Sequence, residues 1–434
     1  MKIQDQTFRN LFNLFLAVIA SAIILRKPCT FLLIGFVVLN LLYIKNIKLG
    51  KNVLLPVAVI ALPFLLEILF FWNNSTLSGG LKAAEKTVSM LLLPLFILGH
   101  YKSIDFYKVL FYFGRIIMLV MAVCLIRFLI VYPEHVQKYL NGIDLFEAGY
   151  FFAASFKSHA PAANMHLAFA GVVNFYFALC TFQKTKAVTQ KIIALFFVGL
   201  SVFFVLLVNT RMALGAMILG YGIVLVYEIL KVKNGKKILQ FASLAAVVVV
   251  GVLCIYLQNN PYMKEKYTKT TFENLDKVGR LDELEHPEYE AYSGLVMRLS
   301  TWKAAWELGV ENLPFGVGSA DGKQEIVNYY TRTGQKFLAG YKLPAHNQFL
   351  DMMIRFGIAG ALAFLVHIFT ILWLGIKTRN AIIISFFVLF FLANMVDDFL
   401  IRFDGIVFSA LWFSVFWAYW LQKKVTPGTA PAAL

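Results

Sequence analysis

The stretch Tyr341–Gly360, YKLPAHNQFLDMMIRFGIAG, sets a polar His346-Asn347 pair at the mouth of a long apolar run. The run continues past Gly357 and Gly360 for a further bilayer-sized length and is followed by two more apolar segments. A polar pair that opens a lipid-compatible helix marks a boundary between water and membrane. Its meaning depends on how much of the remaining chain is membrane.

Most of it is. The 434 residues are 60% hydrophobic and 15% charged, against roughly 25% charged in soluble domains. An apolar run of about 18 residues or more crosses a bilayer core of roughly 30 Å as a helix, and lipid leaves backbone groups few other ways to be satisfied. The fold class is therefore an all-α polytopic membrane protein. Periodicity and run length predict about twelve transmembrane helices, near residues 8–25, 28–44, 53–72, 81–99, 106–132, 162–182, 189–208, 211–230, 238–257, 346–374, 380–400 and 404–421. The chain divides into nine helices over 1–257, a large loop over 258–345, helices ten to twelve over 346–421, and a tail over 422–434. The run after Lys2 and Arg9 lacks a small-residue cleavage site and reads as the first helix, not as a removed signal. The four cysteines, Cys29, Cys124, Cys180 and Cys254, all fall in apolar segments and act as small hydrophobes.

The net charge of +16 sits mainly in short loops. Lys45, Lys48 and Lys51 come first, then Lys102 and Lys108, then Lys184, Lys186 and Lys191. Lys231, Lys233, Lys236 and Lys237 follow, then Lys377 and Arg379, and finally Lys423 and Lys424. Every second connection is basic, as cytoplasmic loops are, and Arg26 with Lys27 is the clearest exception. Both termini and these loops are expected in the cytoplasm. The basic excess is a topology signal and argues against nucleic acid as a partner. The large loop, expected on the opposite face, carries eleven Lys or Arg against twelve Asp or Glu, so it is no polybasic lipid-binding arm.

Ionisable side chains in or beside spans are costly and mark candidate sites. Arg115 and Arg127 lie on one expected helix, about 18 Å apart at the helical rise; at least one lines the interior, unless each snorkels to its nearer face. Glu85 and Lys86 stand near the external end of the fourth span. Arg211, in VNTRMALGAM, begins the eighth span beside the small residues Ala213, Gly215 and Ala216, which permit close helix packing. It either caps the turn or offers planar donors to phosphate. Arg298, Trp302 and Trp306 recur at i, i+4 and i+8 in the large loop and put a cation and two indoles on one helical face, suited to lying on a membrane surface. Asp397, Asp398, Arg402 and Asp404 read either as loop charges in an ion-pair network or, for Asp398, as a partner that orients His346. His346 is the one residue in the opening stretch suited to accept a proton near neutral pH. Asn347 reads as a helix cap or a supporting polar group. No Asp-x-Asp motif or His/Cys cluster suggests a metal, so no cofactor is expected.

Three elements in this order resemble the O-antigen ligase and polymerase superfamily: TRMALGA with Arg211, the loop segment with Arg298, Trp302 and the turn PFGVG, and AHNQFLDMMIRFGIAG. The resemblance covers roughly residues 205–365, and SHAPAANM around His159 is a looser echo of an external histidine motif in some members. It implies a GT-C-like glycosyltransferase of the bacterial inner membrane with its active site facing the periplasm. The donor would be glycan on undecaprenyl pyrophosphate, the acceptor a lipid A core sugar in lipopolysaccharide biosynthesis, and the transfer inverting and metal-free. His346 would be the base. Arg211 and Arg298, with Lys86 and Arg127 behind them, would hold the pyrophosphate, and Asn347, Asp398 and His159 would support the acceptor side. An O-antigen polymerase or a protein O-oligosaccharyltransferase would share these motifs. A lipid-glycan transporter is the non-enzymatic alternative, although transporters often show internal repeats and none is visible here.

Overall fold

The computed structural model describes residues 2–44, 47–141, 148–230, 272–291 and 294–425, and every regular element among them is helical. The expected ninth span at 238–257, the cluster Lys231 to Lys237 and Cys254 lie outside the described residues. In chain order the principal helices are α1 (Lys2–Ala22), α2 (Arg26–Leu42), α3 (Lys51–Ile60), α4 (Leu62–Leu69), α5 (Leu77–Thr87), α6 (Ser89–Gly99), α7 (Phe106–Val131), α8 (Pro133–Leu140) and α9 (Ala148–Ser155). Next come α10 (Ala160–Lys184), α11 (Val188–Val208), α12 (Arg211–Leu230), α13 (Leu295–Glu311), α14 (Gly322–Arg332), α15 (Lys336–Gly340), α16 (Gln348–Thr378), α17 (Ala381–Val396) and α18 (Phe403–Val425).

Six of these are long and apolar enough to cross a membrane: α7, α10, α11, α12, α16 and α18. A seventh span forms if α3 and α4, bent by 72° at their junction, count as one. The difference from the expected twelve has local causes. Pro63 opens α4, where its missing N–H costs nothing but the preceding helix cannot continue through it. The expected fourth span is two eleven-residue helices, α5 and α6, and the expected eleventh is the sixteen-residue α17.

Two hydrophobic cores result. The larger joins α1, α7, α10, α11, α12, α17 and α18. α18 is buried nearly all round, as a central helix must be when it is apolar on every face. Polar groups inside this bundle pair across helices: Asn174 on α10 donates to the Gly114 carbonyl at 2.9 Å and to Ser201 Oγ at 2.9 Å. The smaller core is formed by α13, α14 and α15 with the first turns of α16, through Val296, Leu308, Tyr330, Leu343 and Ile354. The beginning of α16 therefore belongs to both cores: Met352 and Phe356 face one, Leu350 and Met353 the other.

α16 runs 31 residues but is interrupted at Gly357, whose φ of 60° and ψ of −139° are not helical. The turn PFGVG fills the interruption. Val317 N donates to the Ile354 carbonyl at 2.8 Å, Gly318 N to the Arg355 carbonyl at 3.1 Å, and Ile358 N to the Pro314 carbonyl at 3.1 Å. Loop backbone thus takes over hydrogen bonds that a regular helix would make to itself, which is how non-helical backbone is tolerated among apolar spans. A Cβ on Gly357 would stand 1.9 Å from the Pro314 carbonyl oxygen, and one on Gly316 would stand 2.5 Å from the Ile354 oxygen. Both loop and helix need glycine at the crossing.

Gly357→Ala is expected to destabilise the protein by at least ~2 kcal/mol, from the disfavoured backbone region plus the clash. Gly215→Ala, on a regular helix with open space around it, should be neutral or stabilising by under ~1 kcal/mol. Thermal unfolding in detergent measures both, and an unchanged Gly357→Ala midpoint would contradict the crossing.

Candidate functional site

His346 stands at the seam of the two cores, in the turn just before α16. Its φ of 51° is left-handed, a conformation uncommon for any residue but glycine, though histidine adopts it more readily than most. Three contacts hold the turn. Trp302 Nε1 on α13 donates to the His346 carbonyl at 3.0 Å. From the segment between α17 and α18, Asp398 accepts His346 N at 3.1 Å through Oδ2 and Asn347 N at 2.9 Å through Oδ1. Asn347 in turn caps α16, its Oδ1 accepting from Phe349 N at 3.0 Å and Leu350 N at 3.2 Å, while its Nδ2 donates to the Met395 carbonyl at 3.2 Å. Gln348 accepts Leu400 N at 2.6 Å.

Asp397 occupies the centre of the charged groups. Arg402 grips it bidentately at 2.8 and 3.1 Å, His346 Nδ1 lies 3.7 Å from its Oδ1 and His159 Nδ1 lies 3.6 Å from its Oδ2. Arg402 also donates to His159 Nδ1, and Arg298 donates to the carbonyl of Val396, the residue before Asp397. His346 and His159, nearly two hundred residues apart, thus face one carboxylate.

The electrostatics follow from burial and these neighbours. Burial lowers the His346 pKa, Asp397 opposes that, and Arg298 and Arg402 reinforce it, so the net shift is downward. His159, whose side chain is 41% exposed, is lowered by its partial desolvation and then by the Arg402 charge. For Asp397 burial acts to raise the pKa, but the facing His346 and Arg402 outweigh it and hold the carboxyl below its usual range. Burial raises Asp398, and the charges of Asp351 and Asp397 add to the rise. Arg298 is lowered by burial, against the pull of Asp397. At neutral pH both imidazoles are therefore uncharged. His346 Nδ1 is buried without a hydrogen-bond partner and faces Asp397; a proton held there leaves Nε2 as the basic nitrogen.

Arg211 begins α12, placed by Asn164 on α10, whose amide donates to Thr210 Oγ1 at 2.7 Å. Thr210, Met212 and Ala213 line a small cavity together with Val396 and Asp397. The chain position of Arg211 is thereby carried to the edge of the charged cluster. Arg127 instead donates to the Ser155 carbonyl at 3.0 Å, tying α7 to the end of α9 just before His159. Lys86 stands exposed in the last turn of α5 without a hydrogen bond or ion pair to the cluster. The expected face of Arg298, Trp302 and Trp306 is divided: Trp302 turns inward to the His346 carbonyl, and Trp306 remains 53% exposed.

A second charged group lies deeper. Arg355 on α16 pairs with Glu67 on α4 and, at 3.5 Å, with Asp351, which also accepts Gln348 Nε2 at 3.1 Å. Since Gln348 holds Leu400 N, this chain runs from the bent α3–α4 pair to the segment carrying Asp397 and Asp398. The signal was available in the sequence: Glu67, Asp351 and Arg355 stand in apolar runs, with the last two spaced i, i+4.

His346, Asp397 and Asp398 offer ligand atoms within 4.8 Å of one another, the spacing of a possible metal set. The donors do not suit one. Arg402 already holds both oxygens of Asp397, and both oxygens of Asp398 accept backbone N–H groups. A divalent cation would have to share these oxygens with donors already on them and enter beside the Arg402 charge, which opposes it.

A bundle of membrane-length helices joined to a separate helical core, with a neutral histidine and several arginines at their seam, defines a polytopic membrane protein with a polar site at one end of its spans. Residues 195–365, about two fifths of the chain, match the O-antigen ligase family. The family's activity is lipid-linked glycan transfer of ligase or polymerase type. Arg211, Arg298, His346 and the Gly357 crossing fall within the match, whereas His159, Asp397, Asp398 and Arg402 fall outside it. No curated protein matches the chain in sequence.

Because Asp397 raises and Arg402 lowers the His346 pKa, Asp397→Asn should move it further down and Arg402→Gln should move it up, as read by pH titration of the imidazole in NMR. Folded His159 and His346 bind protons less readily than the unfolded chain, so their contribution to stability is present above the ordinary imidazole pKa of ~6.5 and declines as pH falls. His159→Asn should flatten the fall in melting temperature between roughly pH 6.5 and pH 4. An unflattened profile would count against the neutral imidazole at His159.

Proposed function

We propose that this protein is an O-antigen ligase: it moves glycan from undecaprenyl pyrophosphate to a sugar hydroxyl of lipid A core, at the periplasmic face of a bacterial inner membrane. The observation that carries the reading is the neutral His346, backed by Asp397, inside the segment that matches the O-antigen ligase family. On this reading the large loop and the first turns of α16 form the periplasmic cap, and both termini face the cytoplasm.

The chemistry is a single displacement. The acceptor oxygen attacks the anomeric carbon as the bond from that carbon to the pyrophosphate oxygen breaks, and the configuration inverts. His346 Nε2 takes the hydroxyl proton, and the positive charge that develops on the ring is stabilised by Asp397 beside Nδ1. The departing lipid pyrophosphate carries away the bond's electron pair. Arg211 and Arg298 receive its growing negative charge, where fixed cations stabilise the transition state more than the ground state. Asn347 and Asp398 act by fixing the turn that aims the imidazole, and His159 with Arg402 holds Asp397 in place. Arg127 bonds the Ser155 carbonyl and Lys86 stands exposed on α5, so the step is written without them. Arginines then perform the charge neutralisation that other glycosyltransferases assign to a divalent ion.

His346→Ala should reduce transfer by about 10²–10⁴-fold while donor binding and folding persist; full activity would remove the base assignment. Arg211→Ala and Arg298→Ala should each lower turnover by on the order of 10²-fold, and unchanged kinetics for both would remove the phosphate clamp. Purified protein offered lipid A core, a second lipid-linked glycan or a protein acceptor identifies its class by the product. Product on the second lipid-linked glycan alone would make it a polymerase, on protein alone a protein transferase, and on none a transporter.

A further inference from the structure

At the end of the bundle opposite His346 there is a cavity of about 610 Å³ that the proposed reaction does not use. Its distance from the first site follows from the helices that connect them. α18 begins beside Arg402 and ends at the cavity with Lys423, a rise of ~30 Å. α16 begins at Gln348 and ends at Thr378, whose carbonyl accepts Lys423 Nζ at 2.9 Å.

Four cations converge on the cavity from four elements: Arg9 on α1, Lys102 in the turn before α7, Lys108 on α7 and Lys423 on α18. Each is placed by a neutral group. Arg9 Nη2 donates to the Lys102 carbonyl at 2.7 Å, Lys108 Nζ donates to Asn10 Oδ1 at 2.7 Å, and Lys102 stands over the Tyr101 ring. Among the described residues none of the four pairs with a carboxylate, and the one acidic residue lining the cavity, Asp105, caps α7 through Lys108 N at 3.1 Å. Lysine has three donors and arginine five, so a neutral anchor on each leaves capacity for an anion. Like charges gathered around one volume repel unless a counter-charge enters. The cavity is of ligand size and lies at the level where spans end, in reach of a lipid headgroup. Basic pockets between helix ends are the recognised form of anionic-headgroup sites.

We infer that this cavity binds the phosphodiester headgroup of an anionic membrane phospholipid. The bound phosphate sits among Arg9, Lys102 and Lys108, and its acyl chains follow the apolar outer surfaces of α1 and α7. Occupancy ties α1, α7 and α18 together at the end away from His346, so it stabilises the bundle without touching the proposed chemistry.

The test is native mass spectrometry of the full chain released from nanodiscs of phosphatidylglycerol mixed with phosphatidylcholine. Arg9→Gln/Lys102→Gln/Lys108→Gln should lose retained phosphatidylglycerol by roughly 100-fold, at on the order of fivefold per charge. The charge-matched control Lys184→Gln/Lys186→Gln/Lys191→Gln, at the end of α10, in the α10–α11 connection and at the start of α11, outside the cavity, should retain it. Should the triple variant not fold, Lys108→Gln alone carries the comparison, and Lys108→Arg should restore binding. Equal loss in the cavity and control variants would overturn the site and leave only general attraction to anionic lipid. Displacement of the lipid by millimolar inorganic phosphate, with phosphate itself retained, would overturn the headgroup assignment in favour of a free-phosphate site.

Discussion

The carboxylate of Asp398 holds the site together. It is fully buried, and each of its oxygens accepts a backbone N–H, one from His346 and one from Asn347. A buried polar group without partners costs ~1–3 kcal/mol, so this carboxyl group cannot leave the turn without a penalty of that order. The turn in turn cannot relax: His346 keeps a left-handed backbone, and Asn347 caps α16 with the side chain on the same residue whose N–H Asp398 holds. One interaction thus fixes the direction of the imidazole, the start of a 31-residue helix and the link between the segment after α17 and the smaller core.

That interaction works because α16 is pinned a second time, three turns on. Exchange of hydrogen bonds with the Pro314–Gly318 turn at Gly357 stops the helix from sliding or rotating along its axis. Between the two pins lies the pair of Arg355 with Glu67 and Asp351. Charges so placed rarely add net stability compared with apolar packing, since desolvation offsets their attraction. They do discriminate between arrangements, because any register that separates Arg355 from Glu67 leaves an unpaired charge among apolar helices. The arrangement therefore favours specificity in how the bent α3–α4 pair meets α16, and through Gln348 and Leu400 it reaches the segment bearing Asp397.

The sequence announced the helical membrane class, the basic connections and the opening of α16 at Asn347, because each rests on local composition and spacing. Span lengths were less legible. Pro63 is a helix breaker inside the run read as one span over 53–72, whereas the break at Gly357 depends on a turn forty residues earlier inserting its backbone there. The site was legible in part. His346, Arg211 and Arg298 stand out by residue type and motif, whereas Asp397 and Arg402 look like ordinary loop charges until the fold sets them against His346 and His159. Trp302 misled for a related reason. An indole at helical spacing beside a cation fits a membrane surface, and only the tertiary position of residue 346 supplies its N–H with a carbonyl. The expected ninth span falls outside the described residues.

The balance of charge around His346 bears on the order of events in the proposed transfer. With no substrate present, Arg298 and Arg402 add to burial in lowering the imidazole's proton affinity, and Asp397 alone opposes them. A base suppressed in this way is weak toward water and toward an acceptor hydroxyl. A pyrophosphate lodged against Arg298 would bring negative charge close to the same imidazole and cancel part of the arginine field, raising its pKa toward the operating pH where general bases work best. Donor binding would then prepare the base, and an acceptor arriving first would meet a histidine not yet fit to deprotonate it. The same neutralisation would relieve the repulsion between Arg298 and Arg402 across Asp397. Specificity for a pyrophosphate donor and activation of the acceptor would thus arise from one set of charges, without a metal to couple them.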